Sequence, residues 1–462
     1  MTKKIKNILI IGAGPLPNDT IGIREAAGLR THQFTKSTES NTHKITLVCI
    51  HNNANFTEQE DQDRIDTRKN HTYKNTTIIR LHRHDKHLTK KIKDLITKQD
   101  NIDIIIGVNT FPAFIASQIC PKNIPFWADL NGWIMAESQA RGFSEKTNIH
   151  FANAWKQERQ ILDKADRIST VSTAQKFCTI GEMASCGYIK QENFHTEIVH
   201  SIPNTTELFE VDKTDATKLF KGIKIPEDSI VISHIGGYNN WVDTSTLFSA
   251  IDNAMSICPN LYFISTGGAI KDVSNTVFSN FLDKIDTSKH KNRYIFLGWI
   301  DTKDMCKVYT ESDIGINVDF NCIETQTGAR NRLNEMLKFQ LPIISTNESE
   351  IAKDIEKYKA GECTESGNTK ELTRMIIKMA IMTKESTSEI QKYKKNCQFL
   401  HSKIYNIQNT MTPLLQFIEN PSIRNKTNNK QDTVFTFLQN ALWYLQKNGI
   451  KQTFNKFIQR FF

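Results

Sequence analysis

Residues 324–346, ETQTGARNRLNEMLKFQLPIIST, gather the side chains best suited to chemistry in this chain. Two carboxylates, Glu324 and Glu335, bracket a Gly turn at Gly328 and two arginines, Arg330 and Arg332. An amphipathic helix is predicted over 331–339, and Leu341-Pro342-Ile343-Ile344 leads into a short strand. A helix start presents unpaired N–H groups and positive potential, which suit a phosphate. Carboxylates accept hydrogen bonds from sugar hydroxyls. The pattern therefore fits an anionic, sugar-bearing ligand. Alternate residues of a helix do not share a face, so one arginine is expected to meet the ligand and the other to form a surface or structural ion pair. Arg330, nearest the helix start, is the expected phosphate clamp, because a guanidinium fork matches phosphate oxygens.

Other stretches could complete such a site. HIGGYNNWVD (234–243) places Gly236 and Gly237 between a strand and a helix, where backbone N–H groups can cradle a pyrophosphate. Asp243 reads as that helix's N-cap. Gly12 and Gly14 follow the first strand, but Pro15 and Pro17 break the dinucleotide fingerprint and no acid ends the second strand, which argues against nicotinamide binding. Gly12, Gly14 and Gly22 form either a plain tight turn or an acceptor-side loop whose backbone approaches a ligand. Asp129, in WADLNGW (127–133), is placed toward the cleft as a general base for an acceptor hydroxyl, or else hydrogen-bonds its own loop. Glu137 is its weaker rival. No Ser-His-Asp set or metal-ligand cluster is visible in the spacing, so no metal site is expected.

The elements that must hold these residues alternate. Apolar runs at 8–11, 45–50, 104–108, 168–171 and 197–202 are predicted strands, separated by helices at 18–36, 88–98, 111–119 and 148–164. A second series has strands at 230–234, 262–266, 294–297, 314–317 and 343–345, with helices at 244–258, 274–285, 303–310, 331–339 and 369–383. Such alternation implies parallel sheets covered on both faces. The expected organisation is an acceptor-side Rossmann-like domain over 1–207, a donor domain over 225–400, a helix at 401–419 crossing back to the first domain, and a tail at 420–462. Two doubly wound domains face each other across a cleft, the default ligand site.

Bulk properties bound the rest. At 462 residues the chain is too long for one ordinary core. Its net charge of +9 is spread along the sequence without a basic-aromatic nucleic-acid motif, so no nucleic-acid partner is expected. Nine cysteines, an odd number without a C-x-x-C pair, disfavour zinc and a disulfide framework. The N-terminal apolar run is too short for a signal peptide, and no run reaches the ~20 apolar residues of a membrane span. The basic, aromatic-rich pattern at 434–462 predicts an amphipathic helix that either lies on a membrane surface or packs on protein.

Four segments together resemble a GT-B glycosyltransferase of the family 4 type, over roughly residues 5–415. They are NILIIGAGPLPNDTIGIR; QERQILDKADRISTVS followed by HSIPN; FLGWIDTKDMCKVYTESDIGIN; and NEMLKFQLPIIST, where the family commonly reads E-A-M-A-x-G-L-P-V-I. The match gives Glu335 the place of the family's second glutamate, implied to hold the nucleotide ribose. Thr327 stands where the first is usual, and Glu324 lies three residues upstream of it, similar to a variant branch reading E-T-x-x-x-x-R-x-R-L. Glu324 is then implied to meet the donor sugar, with Thr325 and Gly328 beside it. The family's basic residues after the glycine loop are missing from GGYNNWVD, and Arg330 is inferred to supply that charge together with the Gly236 and Gly237 amides.

The resemblance implies a nucleotide-sugar donor, a surface-glycan or lipid-linked acceptor, retention of configuration, no cofactor and no metal. It also implies a cytoplasmic location, peripheral at the inner face of a membrane. Two rival functions remain open at this level: a nucleotide-sugar epimerase on the same fold, and an inactive assembly partner.

Overall fold

The computed structural model describes residues 5–17, 25–39, 43–51, 73, 75–98, 101–205, 217–270, 275–424 and a few positions between 442 and 449. The first sheet contains β1 (Asn7–Ala13), β2 (Lys44–His51), β3 (Thr76–His82), β4 (Ile104–Val108), β5 (Phe126–Leu130), β6 (Arg167–Thr170) and β7 (Val199–Ser201). Its strand order is β3-β2-β1-β4-β5-β6-β7. The second sheet contains β8 (Ile230–His234), β9 (Leu261–Thr266), β10 (Tyr294–Gly298), β11 (Ile314–Asn317), β12 (Ile343–Thr346) and β13 (Gly361–Thr364), ordered β10-β9-β8-β11-β12-β13. Every strand pair is parallel. The expected pair of doubly wound α/β units is thus present, and both reverse direction in the same way, between β1 and β4 and between β8 and β11.

The buried strands follow from their composition. β4, IIIGV, is buried along its whole length. A continuous apolar run of this kind belongs between two helical layers. Gly107 serves the packing of the helix Thr110–Ile119: a Cβ there would come within 2.6 Å of the Ala113 Cα. The predicted strands lack β3, β5 and β13. β3 is an edge strand with mostly half-buried residues, so it lacks a sustained apolar run. β13 has only four residues, GECT, held by pairing to β12.

The two units are joined at several points. Ser172 caps the helix Thr173–Ser185 by accepting from the Gln175 amide, and its hydroxyl donates to the Thr327 carbonyl at 2.6 Å. Asn204 Nδ2 donates to Asn331 Oδ1 at 2.6 Å, and the Thr173 amide donates to Glu350 Oε2 at 2.7 Å. Helix Thr412–Glu419 leaves the second unit and packs on the first, where Met411, Leu414, Phe417 and Ile418 join Ile8, Ile10 and Trp127. All nine cysteines are free thiols. Among the described residues, no helix is long and apolar enough to cross a membrane. The predicted helix over 434–462, and most of the tail, lie outside the described residues.

Candidate functional site

The carboxyl ends of the strands face one another across a cavity of about 580 Å³. Asn131, Gly132, Glu137 and Asn204 line it from the first unit, and Gly236, Gly237, Trp241, Trp299, Arg330, Arg332 and Glu335 from the second. This is where open α/β sheets place their ligands.

The glycine loop after β8 forms the cavity wall through close backbone contact. Gly236 has φ 99 and Gly267 φ 75, the left-handed region that glycine adopts without penalty. A Cβ on Gly267 would lie 2.5 Å from the Gly236 carbonyl carbon, so the loops after β8 and β9 can touch only as glycines. The Gly236 amide donates to Thr266 Oγ1 at 3.1 Å and is therefore used within the fold. Asp243 is the N-cap of the helix Thr244–Ile257, accepting from the Thr246 amide at 3.0 Å, as its sequence position suggests.

The two arginines have different surroundings, and the expected clamp, Arg330, is the enclosed one. Arg330 Nε donates to Asp319 Oδ2 at 2.7 Å, and Nη1 and Nη2 donate to Glu324 Oε1 and Oε2 at 3.2 and 2.7 Å. All three side chains are buried. Both carboxylates raise the Arg330 pKa against the opposing effect of burial. Its fork is already occupied, so Arg330 is not placed as an open phosphate clamp. Burial raises the Glu324 pKa while Arg330 opposes that rise. Both of its oxygens face Arg330 within the ion pair.

Arg332 is half-buried and lines the cavity beside the glycine loop. Its Nη2 donates to the Gly237 carbonyl at 2.8 Å, and Nη1 meets His234 Nε2. Burial, then the Arg332 charge, holds the His234 pKa well below its ordinary value. The imidazole is thus neutral and accepts at Nε2, which puts its own proton on Nδ1. His234 in turn stacks on Tyr238 with ring centroids 4.5 Å apart. Among the described residues Arg332 has no carboxylate within ion-pair distance. The cavity therefore holds a cation fixed by neutral groups, the arrangement an anionic ligand requires. Spacing alone could not separate the two arginines: Glu324 and Asp319 lie 6 and 11 residues from Arg330, but His234 lies 98 residues from Arg332.

Glu335, on the helix Asn331–Lys338, reaches the cavity wall and accepts from the Tyr309 hydroxyl. Tyr309 stacks face to face on Phe339, at 4.6 Å and 7°. Gly328 lines the cavity, and a Cβ on it would strike the Glu324–Arg330 pair. Thr325 points elsewhere. Its hydroxyl binds the Phe320 and Cys322 carbonyls, both at 2.8 Å, and it caps the short helix Ile323–Thr327.

On the first unit, Asp129 does not face the cleft. It is fully buried, with Oδ2 and Oδ1 accepting from Arg30 Nε and Nη2 at 3.0 and 2.7 Å and Ser169 Oγ donating to Oδ1 at 2.7 Å. A carboxylate enclosed in this way has no open lone pair for a substrate, so Asp129 is a core ion-pair partner and not an accessible base. Gly12 and Gly14 are also packing glycines: a Cβ would strike Thr31 at Gly12, and Cys49 and His51 at Gly14. Neither lines the cavity. Gly22 lies outside the described residues. Glu137, from the first turn of the helix Ile134–Glu145, lines the cavity from this unit, as does Glu25. Sequence reading ranked Glu137 below Asp129 because nothing local reveals that Arg30 fills the Asp129 site.

Beneath that helix, Glu158 is fully buried and faces Glu182, whose Oε1 accepts from Trp133 Nε1 at 2.9 Å. Burial, then the Glu182 charge, raises the Glu158 pKa well above the ordinary carboxyl range. A carboxyl raised in the folded state keeps its proton after the unfolded chain has lost it. Its stability contribution is thus complete below the unfolded pKa of about 4.3 and is lost as pH rises toward the folded pKa. We expect Glu158→Gln to gain stability relative to the wild type as pH rises above about 4.3, by at most about 1.4 kcal/mol per pH unit. Urea midpoints of both proteins at each pH check this, and a constant difference would contradict it.

No protein-family model and no curated protein sequence matches the chain. Solved structures do. HepE of Anabaena in complex with UDP-glucose superposes with a TM-score of 0.61 at 15% identity, covering 89% of this chain and 99% of HepE. Sucrose-phosphate synthase from Thermosynechococcus elongatus gives 0.62 at 13% identity, covering 89% and 98%. TarM of S. aureus, in complex with fondaparinux, alpha-GlcNAc-glycerol and UDP, gives 0.56 at 11% identity, covering 90% and 100%. The fold is GT-B. At these identities the likeness establishes the GT-B architecture, with its two Rossmann-like units and the cleft between them. Among the described residues of this GT-B chain, no group of three His, Cys, Asp or Glu side chains could hold a metal ion.

Proposed function

We propose that this GT-B chain is a glycosyltransferase that moves a sugar from a nucleoside-diphosphate sugar to an acceptor hydroxyl, with retention of configuration. The observation that carries the reading is Arg332, a cation with no carboxylate at ion-pair distance among the described residues, held at the Gly236–Gly237 turn inside the interdomain cavity. A diphosphate there would meet Arg332 and the Gly237 backbone. Glu335, oriented by Tyr309, would accept from ribose hydroxyls. Trp299 and Ile300, on the same wall, offer apolar surface to a base. Solved neighbours with this fold hold UDP or UDP-glucose, which supports a nucleotide-sugar as donor. The leaving diphosphate's charge falls to Arg332 and the backbone, so the proposed reaction uses no metal and no cofactor beyond its co-substrate. The resemblance of the sequence to family 4-type enzymes supports a surface-glycan or lipid-linked acceptor reached from the cytoplasmic side of a membrane.

The test is a panel of nucleotide-sugars, scored by thermal stabilisation and by release of the nucleoside diphosphate. A matching donor at a hundred times its dissociation constant should stabilise the wild type by about 2.7 kcal/mol. Glu335→Ala should fold normally and lose most of that gain, because the ribose loses its acceptor. Absence of stabilisation by every nucleotide, or full stabilisation of Glu335→Ala, would contradict this assignment.

A further inference from the structure

We propose that Glu137 holds the acceptor hydroxyl and takes its proton during transfer, an inference that rests on the donor reading above. Its position carries the case. Glu137 enters the cavity from the first turn of the helix Ile134–Glu145 and is exposed in the open cleft. Gly132, with φ 94, leaves room for it, since a Cβ there would strike Glu137 Oε1. Among the described residues no donor or cation is bound to this carboxylate. Glu324 is engaged by Arg330, Glu335 by Tyr309 and Asp129 by Arg30, while Glu25, ahead of the helix Ala26–Thr38, also lines the cavity.

The charged groups facing Glu137 set its protonation. Glu324 and Arg330 stand opposite on the second unit, Glu158 lies on the helix His150–Lys164 behind, and Glu182 lies beyond it. Arg332 and Glu335 line the same cavity. Glu137 is exposed in the free cleft, so desolvation between the cleft walls, then the Glu324 charge, raises its pKa to about 7, against the pull of Arg330, only as far as a ligand excludes water there. Water in the open cleft screens these charges, and a bound ligand displaces that water. A base of this strength is matched to work near neutral pH. In the step, the acceptor oxygen approaches on the face from which the diphosphate departs, as retention requires, and forms its bond to the sugar's anomeric carbon. The bond from that carbon to the diphosphate oxygen breaks, and its electron pair leaves with the diphosphate beside Arg332. The hydroxyl proton passes to Glu137 and then to water.

The test uses the full-length protein with UDP-glucose as donor, or whichever nucleotide-sugar stabilises the wild type most, and water as acceptor. Release of the nucleoside diphosphate is followed against pH. We expect Glu137→Gln to slow release on the order of 10²–10⁴-fold, to abolish the acid limb of the pH–rate profile near pH 7, and to keep the wild-type thermal shift with UDP. Glu137→Asp should retain the acid limb at a reduced rate. A Glu137→Gln protein with the wild-type rate and acid limb overturns the proposal. So does loss of the UDP shift, which would make Glu137 a donor-binding group. A wild type that no nucleotide stabilises overturns the donor reading itself, a separate failure.

Discussion

Arg330→Ala is expected to destabilise the folded chain by about 3–5 kcal/mol, the usual cost of breaking a buried ion-pair set from one side. Asp319 and Glu324 would be left facing each other without the guanidinium that binds both, and neither is more than 5% exposed. The wild-type set carries one positive and two negative charges, so it already has an excess negative charge in a buried setting, and removing its cation leaves two. Arg330→Lys should recover little. An ammonium lacks the planar fork that spans two oxygens of Glu324 while a third donor reaches Asp319. Denaturation followed by tryptophan fluorescence is the appropriate measurement, since Trp241 lies 5.5 Å from the guanidinium carbon. If Arg330 were instead an open phosphate clamp, Arg330→Ala would keep its stability and lose only ligand affinity.

Arg332→Ala should behave in the opposite way. The side chain bonds only the Gly237 carbonyl and His234 among the described residues; it makes no ion pair, and the Asp319 charge it feels keeps Arg330 as its partner when it goes. Folding stability should therefore change by about 1 kcal/mol, the scale of a lost neutral hydrogen bond. Catalysis should fall on the order of 10²–10³-fold, the effect of removing one pre-organised donor from a developing anion. The loss should appear in kcat as well as in KM, because charge on the leaving diphosphate grows as the glycosidic bond breaks. Steady-state release of the nucleoside diphosphate separates the two terms. Normal kcat in a folded Arg332→Ala protein would move the anion site elsewhere.

The architecture was legible because parallel sheets buried on both faces leave apolar runs, as in IIIGV and the IVI of IVISH. The helix that carries Glu335, and the glycine turn before it in space, were legible for the same local reasons. Roles that depend on distant partners were not. Asp129 looked like a cleft acid until Arg30, 99 residues away in sequence, was seen to occupy it. Arg330 and Arg332 differ by which side chains reach them: Asp319 and Glu324 for one, His234 from 98 residues away for the other. Gly12 and Gly14 carried a true signal of close backbone approach, but what approaches is Thr31, Cys49 and His51, not a ligand. Thr325 sits in a ligand-like motif, yet its hydroxyl caps its own helix. Periodicity reports which face is buried and does not report what buries it.

The central claim is that Arg332 in the interdomain cavity recognises a nucleoside diphosphate through its phosphates. Calorimetric titration of UDP and of uridine into the wild type and into Arg332→Ala tests it most directly. We expect the wild type to bind UDP far more tightly than uridine, and that preference to collapse in Arg332→Ala while uridine binding is unchanged. An undiminished preference for UDP in the folded variant would contradict the claim.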